Sequence, residues 1–155
     1  MVGIASQNEK ATSSHDADVS RKPVAAMRAR VVSTRWLEDG DTVSYLATYR
    51  ANGRRRIATL PLGYADGYRR SLSNRATVIV NGRRAPVAGL VTMDMTMIDV
   101  TDVPCEVGDV VTLLGRDGNE VIEVTELGEA SGLSPYEILT GLRQRLPRRY
   151  VGVSD

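Results

Sequence analysis

Ala76-Thr77-Val78-Ile79-Val80-Asn81-Gly82-Arg83-Arg84-Ala85-Pro86-Val87 is a strand, a two-residue turn and a returning strand written in one run. The β-branched residues from Thr77 to Val80 favour extended backbone. Asn and Gly both tolerate positive φ, which the tightest hairpin turns require at their two central positions. The same grammar repeats outward. Ala26 to Arg35 alternates like a strand, Glu38-Asp39-Gly40-Asp41 reads as a turn, and a second strand is expected through Val43, Tyr45 and Tyr49. Asn52-Gly53 gives another hairpin signal before a strand over Ile57 to Leu60. Val87 to Thr92 and Met97 to Val100 read as strands around Met93-Asp94. Val110 to Leu114 and Val121 to Glu123 flank the turn Arg116-Asp117-Gly118-Asn119. Many short strands with regular turn punctuation imply a mainly β domain, a closed barrel or a sandwich.

The end of the chain changes character. Thr125 is expected to cap a short helix with Leu127 and Ala130 on one side and Gly132 as its stop. Ser134-Pro135-Tyr136-Glu137 opens a second helix, with Ser at the cap, Pro in the first turn and Glu at the third position. Ile138, Leu139 and Leu142 give it an apolar stripe, Pro147 ends it, and Arg149 to Val153 is expected to add a final strand. Residues 1–22 read as a polar tail or remnant linker, and 23–155 as the β-domain.

Composition narrows the chemistry. The chain has 155 residues, 42% hydrophobic and 25% charged, enough for one globular domain with its own core. A single cysteine, Cys105, excludes an internal disulfide framework and a cysteine zinc site. The single histidine, His15, lies in the polar tail, which argues against histidine metal sites and Ser-His-Asp catalysis. A net charge of +1 provides no whole-molecule attraction to nucleic acid or anionic lipid. The apolar runs are too short to span a bilayer, and the start lacks a signal peptide's apolar segment, so a cytoplasmic location is expected. Phosphate-cradling glycine motifs are absent. Asp99 with Asp102, and Glu106 with Asp109, read as solvated turn acids. Arg54-Arg55-Arg56 reads as a solvated strand edge that discourages aggregation; a weaker reading has such clusters touching nucleic-acid phosphates.

Tyrosine is the unusual signal. Six of the seven aromatic residues are Tyr, one is Trp, and Phe is absent. A phenol adds a hydrogen-bonding handle and a titratable proton to an apolar ring. Tyr45, Tyr64 and Tyr136 sit near turns or element ends, where functional groups tend to be presented.

Leu60-Pro61-Leu62-Gly63-Tyr64-Ala65-Asp66-Gly67-Tyr68-Arg69-Arg70 resembles the Gly-Tyr-Ala-Asp-Gly segment of alanine racemases. Val80 to Val87 and Val91-Thr92-Met93-Asp94-Met95 follow in that family's order and near its spacing. Val43-Ser44-Tyr45 is similar to the segment carrying the family's catalytic tyrosine. Gly108 to Gly115, Ser134 to Leu139 and Pro147 to Gly152 resemble its later segments. The resemblance runs from about residue 23 to 152 and covers only the family's second domain.

The resemblance implies a Greek-key domain with a six-stranded β-barrel at its heart and one or two short C-terminal helices. It implies a role in a pyridoxal 5'-phosphate (PLP) isomerase that interconverts L- and D-alanine, the latter for peptidoglycan of the cell wall. In that family an N-terminal α/β barrel holds the coenzyme through a lysine, and the active sites form across a homodimer. Racemisation removes the α-proton on one face and returns one on the other, so it needs two positioned bases. Carried over, Tyr45 is the base for L-alanine, and the Met93 N–H binds the substrate carboxylate. Tyr64 and Arg70 line the entrance, and these four serve the partner's cofactor. Tyr136 faces the cofactor of its own chain. Leu46 stands where the family usually has Gly, so the backbone is expected to shift there; Leu90 replaces a common Arg. The only lysines, Lys10 and Lys22, lie in the tail and neither reads as the PLP-binding residue. The expectation is therefore a domain inactive alone and completed by a barrel domain, or else a non-catalytic assembly or binding module derived from it. Fold-related basic-amino-acid decarboxylases are disfavoured, because their signature centres on a Cys-Asp pair and Cys105 is followed by Glu106.

Overall fold

The computed structural model describes residues 25–150. Ten strands and two short helices follow in order: β1 (Met27–Arg30), β2 (Ser33–Leu37), β3 (Thr42–Val43), β4 (Tyr49–Arg50), β5 (Arg55–Leu60), β6 (Thr77–Val80), β7 (Arg83–Pro86), β8 (Thr96–Asp99), β9 (Val110–Asp117), β10 (Glu120–Ile122), α1 (Val124–Ser131) and α2 (Pro135–Thr140). All strand pairs are antiparallel. One sheet runs β1-β9-β6-β7 with β10 also on β9; a second runs β2-β5-β8; β3 and β4 pair alone. The mainly β reading holds. The pairing itself divides into sheets of five, three and two strands and does not trace a six-stranded closed barrel.

The hairpin of the opening run forms as expected. Val80 pairs with Arg83, and Asn81 (φ 48) and Gly82 (φ 72) are both left-handed. Elsewhere the backbone departs from the sequence reading for identifiable reasons. Ala26 to Arg35 is two strands. The Val31 N–H donates to the Asp109 carbonyl beside β9, whereas the Val32 N–H donates to the Thr59 carbonyl of β5. The chain changes sheets between these two residues. Asn52-Gly53 does not join two paired strands, because β5 pairs with β2 and the β3–β4 ribbon is inserted between them. The side chain of Asp39 instead holds the Gly53 N–H at 2.7 Å. Beyond Pro86, Val87 makes only an isolated bridge to Ile98, and residues 88–95 form a loop in place of the expected strand.

Glu123, not Thr125, is the N-cap of α1; Gly132 ends that helix in a left-handed conformation. In α2, Ser134 and Glu137 form a reciprocal capping box, and the helix ends at Gly141 rather than near Pro147. Arg149 and Tyr150 are not in a strand, and the rest of the expected final strand, like residues 1–22, lies outside the described residues.

The main core joins both larger sheets and the helices: Ile79, Leu113, Leu60, Ile98, Ile122, Leu127 and Ile138 are buried together. Each such side chain contributes about 1.5–3 kcal/mol by leaving water. Exposed ion pairs such as Arg54–Glu38 contribute less than about 1 kcal/mol, so apolar burial sets the fold. Two surface readings change. Arg55 and Arg56 are half-buried on β5, the middle strand of its sheet and not an edge. Arg54 lies over the Trp36 ring, 4.5 Å from its centroid. Asp99 is no plain solvated turn acid, since it accepts hydrogen bonds from Tyr49 and Thr101.

Candidate functional site

Three separate segments meet at one open groove of about 720 Å³. Its lining includes Tyr45 and Leu46 from the β3–β4 connection, Tyr64 and Arg70 from the β5–β6 connection, and Met93 and Asp94 from the loop before β8. Four of the five site residues singled out in the sequence, Tyr45, Tyr64, Arg70 and Met93, thus share one cavity. Tyr136, near the start of α2, is exposed and lies outside that lining.

The expected strand through Tyr45 is replaced by a 3-10 turn, Tyr45–Ala47. Around it Ser44 (φ 66), Leu46 (φ 61) and Ala47 (φ 49) all take positive φ. Such conformations cost roughly 1–3 kcal/mol each for residues with a side chain and persist only where the surroundings enforce them. Leu46 adopts the left-handed backbone that glycine would adopt freely, and its side chain points into solvent. The Ser44 hydroxyl donates to the Leu90 carbonyl at 2.8 Å. The turn lifts the Tyr45 ring clear of the core, to 71% exposure.

Tyr64 and Met93 are brought together by backbone. The Tyr64 N–H donates to the Thr92 carbonyl at 2.9 Å, and the Ala65 N–H to the Met93 carbonyl at 3.0 Å. No hydrogen bond of the Met93 N–H is found among the described residues. Asp66 is buried and its carboxylate accepts the Gly63 N–H at 2.9 Å, closing the turn from inside. Arg145 spans the same two segments from the C-terminal side, 2.7 Å from Asp94 and 3.5 Å from Asp66. Sequence reading missed this arginine, because only the fold brings residue 145 to residues 66 and 94.

The two tyrosines of that segment differ. Tyr68 is fully buried, its hydroxyl has no partner among the described residues, and burial, reinforced by Glu126, pushes its phenol well above the ordinary value. A phenol so placed stays protonated. Tyr64 is exposed and faces the groove.

The described residues contain no lysine, and the two in the sequence lie outside them. Their donor set at the groove, phenols, one guanidinium and backbone amides, does not fit covalent capture of an aldehyde coenzyme. It fits one wall of a site for a small anionic molecule. Among the described residues no cluster of acidic, histidine or cysteine groups could hold a metal, and no helix is long and apolar enough to cross a membrane.

Residues 24–150 match the family model described as "Alanine racemase, C-terminal domain". The alanine racemase of Symbiobacterium thermophilum is 50% identical over 135 residues, which are 86% of this chain and 36% of that protein. A crystal structure of the Bacillus anthracis alanine racemase with bound L-Ala-P is 43% identical, with a TM-score of 0.72, over 78% of this chain and 31% of that one. That of the Bartonella henselae alanine racemase with covalently bound pyridoxal phosphate is 32% identical, with a TM-score of 0.80, over 88% and 37%. The chain spans about a third of the length of these proteins. With the family model covering nearly all of the described fold, the chain belongs to the alanine racemase family, as its C-terminal domain.

Proposed function

We propose that this domain supplies the phenol-bearing wall of an alanine racemase active site, for PLP chemistry that interconverts L- and D-alanine and provides D-alanine for peptidoglycan. The observation that carries this reading is the convergence of Tyr45, Tyr64, Arg70 and Met93 on one groove from three segments far apart in sequence. PLP, held elsewhere by a lysine, supplies the electron sink that makes the α-proton of alanine removable. On this chain, the Tyr45 Oη takes or returns that proton on one face of the substrate. The Met93 N–H binds the substrate carboxylate, and Tyr64 and Arg70 line the way in; Arg70 brings positive charge suited to that carboxylate. Tyr136, outside the groove, is assigned to the second site of a homodimer, facing its own chain's cofactor. The cellular compartment proposed is the cytoplasm.

The test is racemisation of alanine by a hybrid in which a lysine-bearing barrel domain precedes this chain, compared with the chain alone. Turnover by the hybrid and none by the chain supports the reading; turnover by the chain alone removes it. A second reading, a non-catalytic assembly module, draws on the apolar side chains exposed at the groove: Leu46, Met93 and Met95. A hybrid that assembles fully yet does not racemise alanine favours that reading.

A further inference from the structure

The strained turn that presents Tyr45 is held at its exit by a carboxamide, besides the Ser44–Leu90 hydrogen bond at its entrance. Asn74 follows the 3-10 turn that begins with Arg70, and it is itself left-handed (φ 55). Its Oδ1 accepts the Gly89 N–H at 2.6 Å. Its Nδ2 donates to the Thr48 hydroxyl at 3.1 Å, at the exit of the Tyr45 turn. Gly89 in turn abuts the entrance of that turn: a Cβ on Gly89 would fall 2.8 Å from Ser44 Cβ and 2.9 Å from the Val43 carbonyl oxygen. Next to Asn74, the Ser73 hydroxyl accepts the Val91 N–H at 2.9 Å and donates to the Arg70 carbonyl. All three segments of the groove therefore meet at Ser73-Asn74. Asn suits the position on two counts. It tolerates the left-handed backbone, and its amide is both donor and acceptor, which no carboxylate is.

We propose that Asn74 is the positioning residue for Tyr45: its carboxamide clamps the 44–48 turn to the 88–91 loop and fixes the phenol beside Met93. The inference rests on the reading of Tyr45 as the proton-transferring group only for its catalytic consequence; the clamp itself is tested on the isolated chain. The three positive-φ residues that flank Tyr45, namely Ser44, Leu46 and Ala47, relax once an anchor is removed, and the population of the open turn rises.

Chymotryptic cleavage at Tyr45 and Leu46 reads that population, with cleavage after the exposed Tyr136 as an internal control. Asn74→Gly keeps the left-handed backbone but loses both hydrogen bonds. It is expected to speed cleavage at Tyr45–Leu46 about tenfold, with the rate after Tyr136 unchanged. Thr48→Val, at an exposed site that cannot threaten the fold, and Asn74→Asp, which keeps only the acceptor, should each give about a threefold effect. Equal rates at Tyr45–Leu46 in Thr48→Val and the parent overturn the proposal, and so does an increase matched after Tyr136. In the barrel hybrid, Asn74→Gly should lower kcat more than it raises KM. A fully active Tyr45→Phe hybrid would instead refute the role of Tyr45 and leave the cleavage result standing.

Discussion

Gly63 lies against the Thr92 carbonyl so closely that a Cβ on it would fall 2.2 Å from that oxygen and 2.5 Å from the Met93 oxygen. Backbone meets backbone here, so no side-chain rotation relieves the contact. This approach allows the paired hydrogen bonds from Tyr64 and Ala65 to residues 92 and 93, which put Tyr64 and Met93 on one groove.

Gly63→Ala must therefore push the two segments apart. Overpacking of this kind typically costs about 1–3 kcal/mol, and loss of the two backbone bonds places the expected value at the upper end. Urea denaturation measures it. A variant as stable as the parent would show that the 63–66 turn and the 92–93 loop are not in register as described.

The Tyr49–Asp99 pair predicts two pH limbs of stability. Burial, then the hydrogen bond to Asp99, pushes the Tyr49 phenol up to about 12. Burial of Asp99 works against its ionisation, but the Thr101 hydroxyl and N–H and the Tyr49 hydroxyl outweigh it and hold the carboxyl below its ordinary range. The raised phenol contributes stability that is complete below its unfolded value of about 10 and is lost as pH climbs toward 12. The depressed carboxyl contributes stability above its unfolded value of about 3.9, lost as pH falls through its lower folded value. Urea midpoints across pH should fall less steeply between about 10 and 12 in Tyr49→Phe than in the parent. Identical slopes would mean that the Tyr49 hydroxyl does not bond Asp99.

Ser134→Ala removes an acceptor that holds the Glu137 N–H at 3.2 Å while the Ser134 N–H still donates to Glu137 at 3.0 Å. Loss of half a capping box should lower stability by about 1 kcal/mol. Because α2 runs into Gly141, and a Cβ on Gly67 would fall 2.6 Å from the Gly141 carbonyl, amide exchange should rise at residues 66–68 as well as in α2. Exchange confined to α2 would show that the helix does not brace the Tyr64 segment.

The sequence was informative where local chemistry dictates local shape. Asn81-Gly82 forms its hairpin because both residues accept positive φ, and Ser134 with Glu137 caps its helix through side chains three residues apart. It misled where tertiary pairing overrides local preference. Val31 and Val32 read as one strand, yet they bond to different sheets. Tyr45 sits in an alternating pattern, yet Ser44, Leu46 and Ala47 take positive φ in a turn that packs on residues 74, 89 and 90, which no local window contains. The same limit hid Arg145 and Asn74: each acts at the groove through contacts across at least 15 residues of sequence. The groove residues themselves were legible only through family resemblance, since tyrosine near a turn is otherwise an ordinary surface feature.

The most direct test of the central claim, that this domain brings the phenol and another domain brings the amine, is the racemisation rate of the barrel hybrid with and without the Tyr45 hydroxyl. Tyr45 is 71% exposed, so Tyr45→Phe should leave folding intact. The account predicts turnover by the hybrid, a loss of about 10²–10⁴-fold in Tyr45→Phe, and no turnover by the chain alone with added PLP. Full activity in the Tyr45→Phe hybrid, or racemisation by the isolated chain, would contradict it.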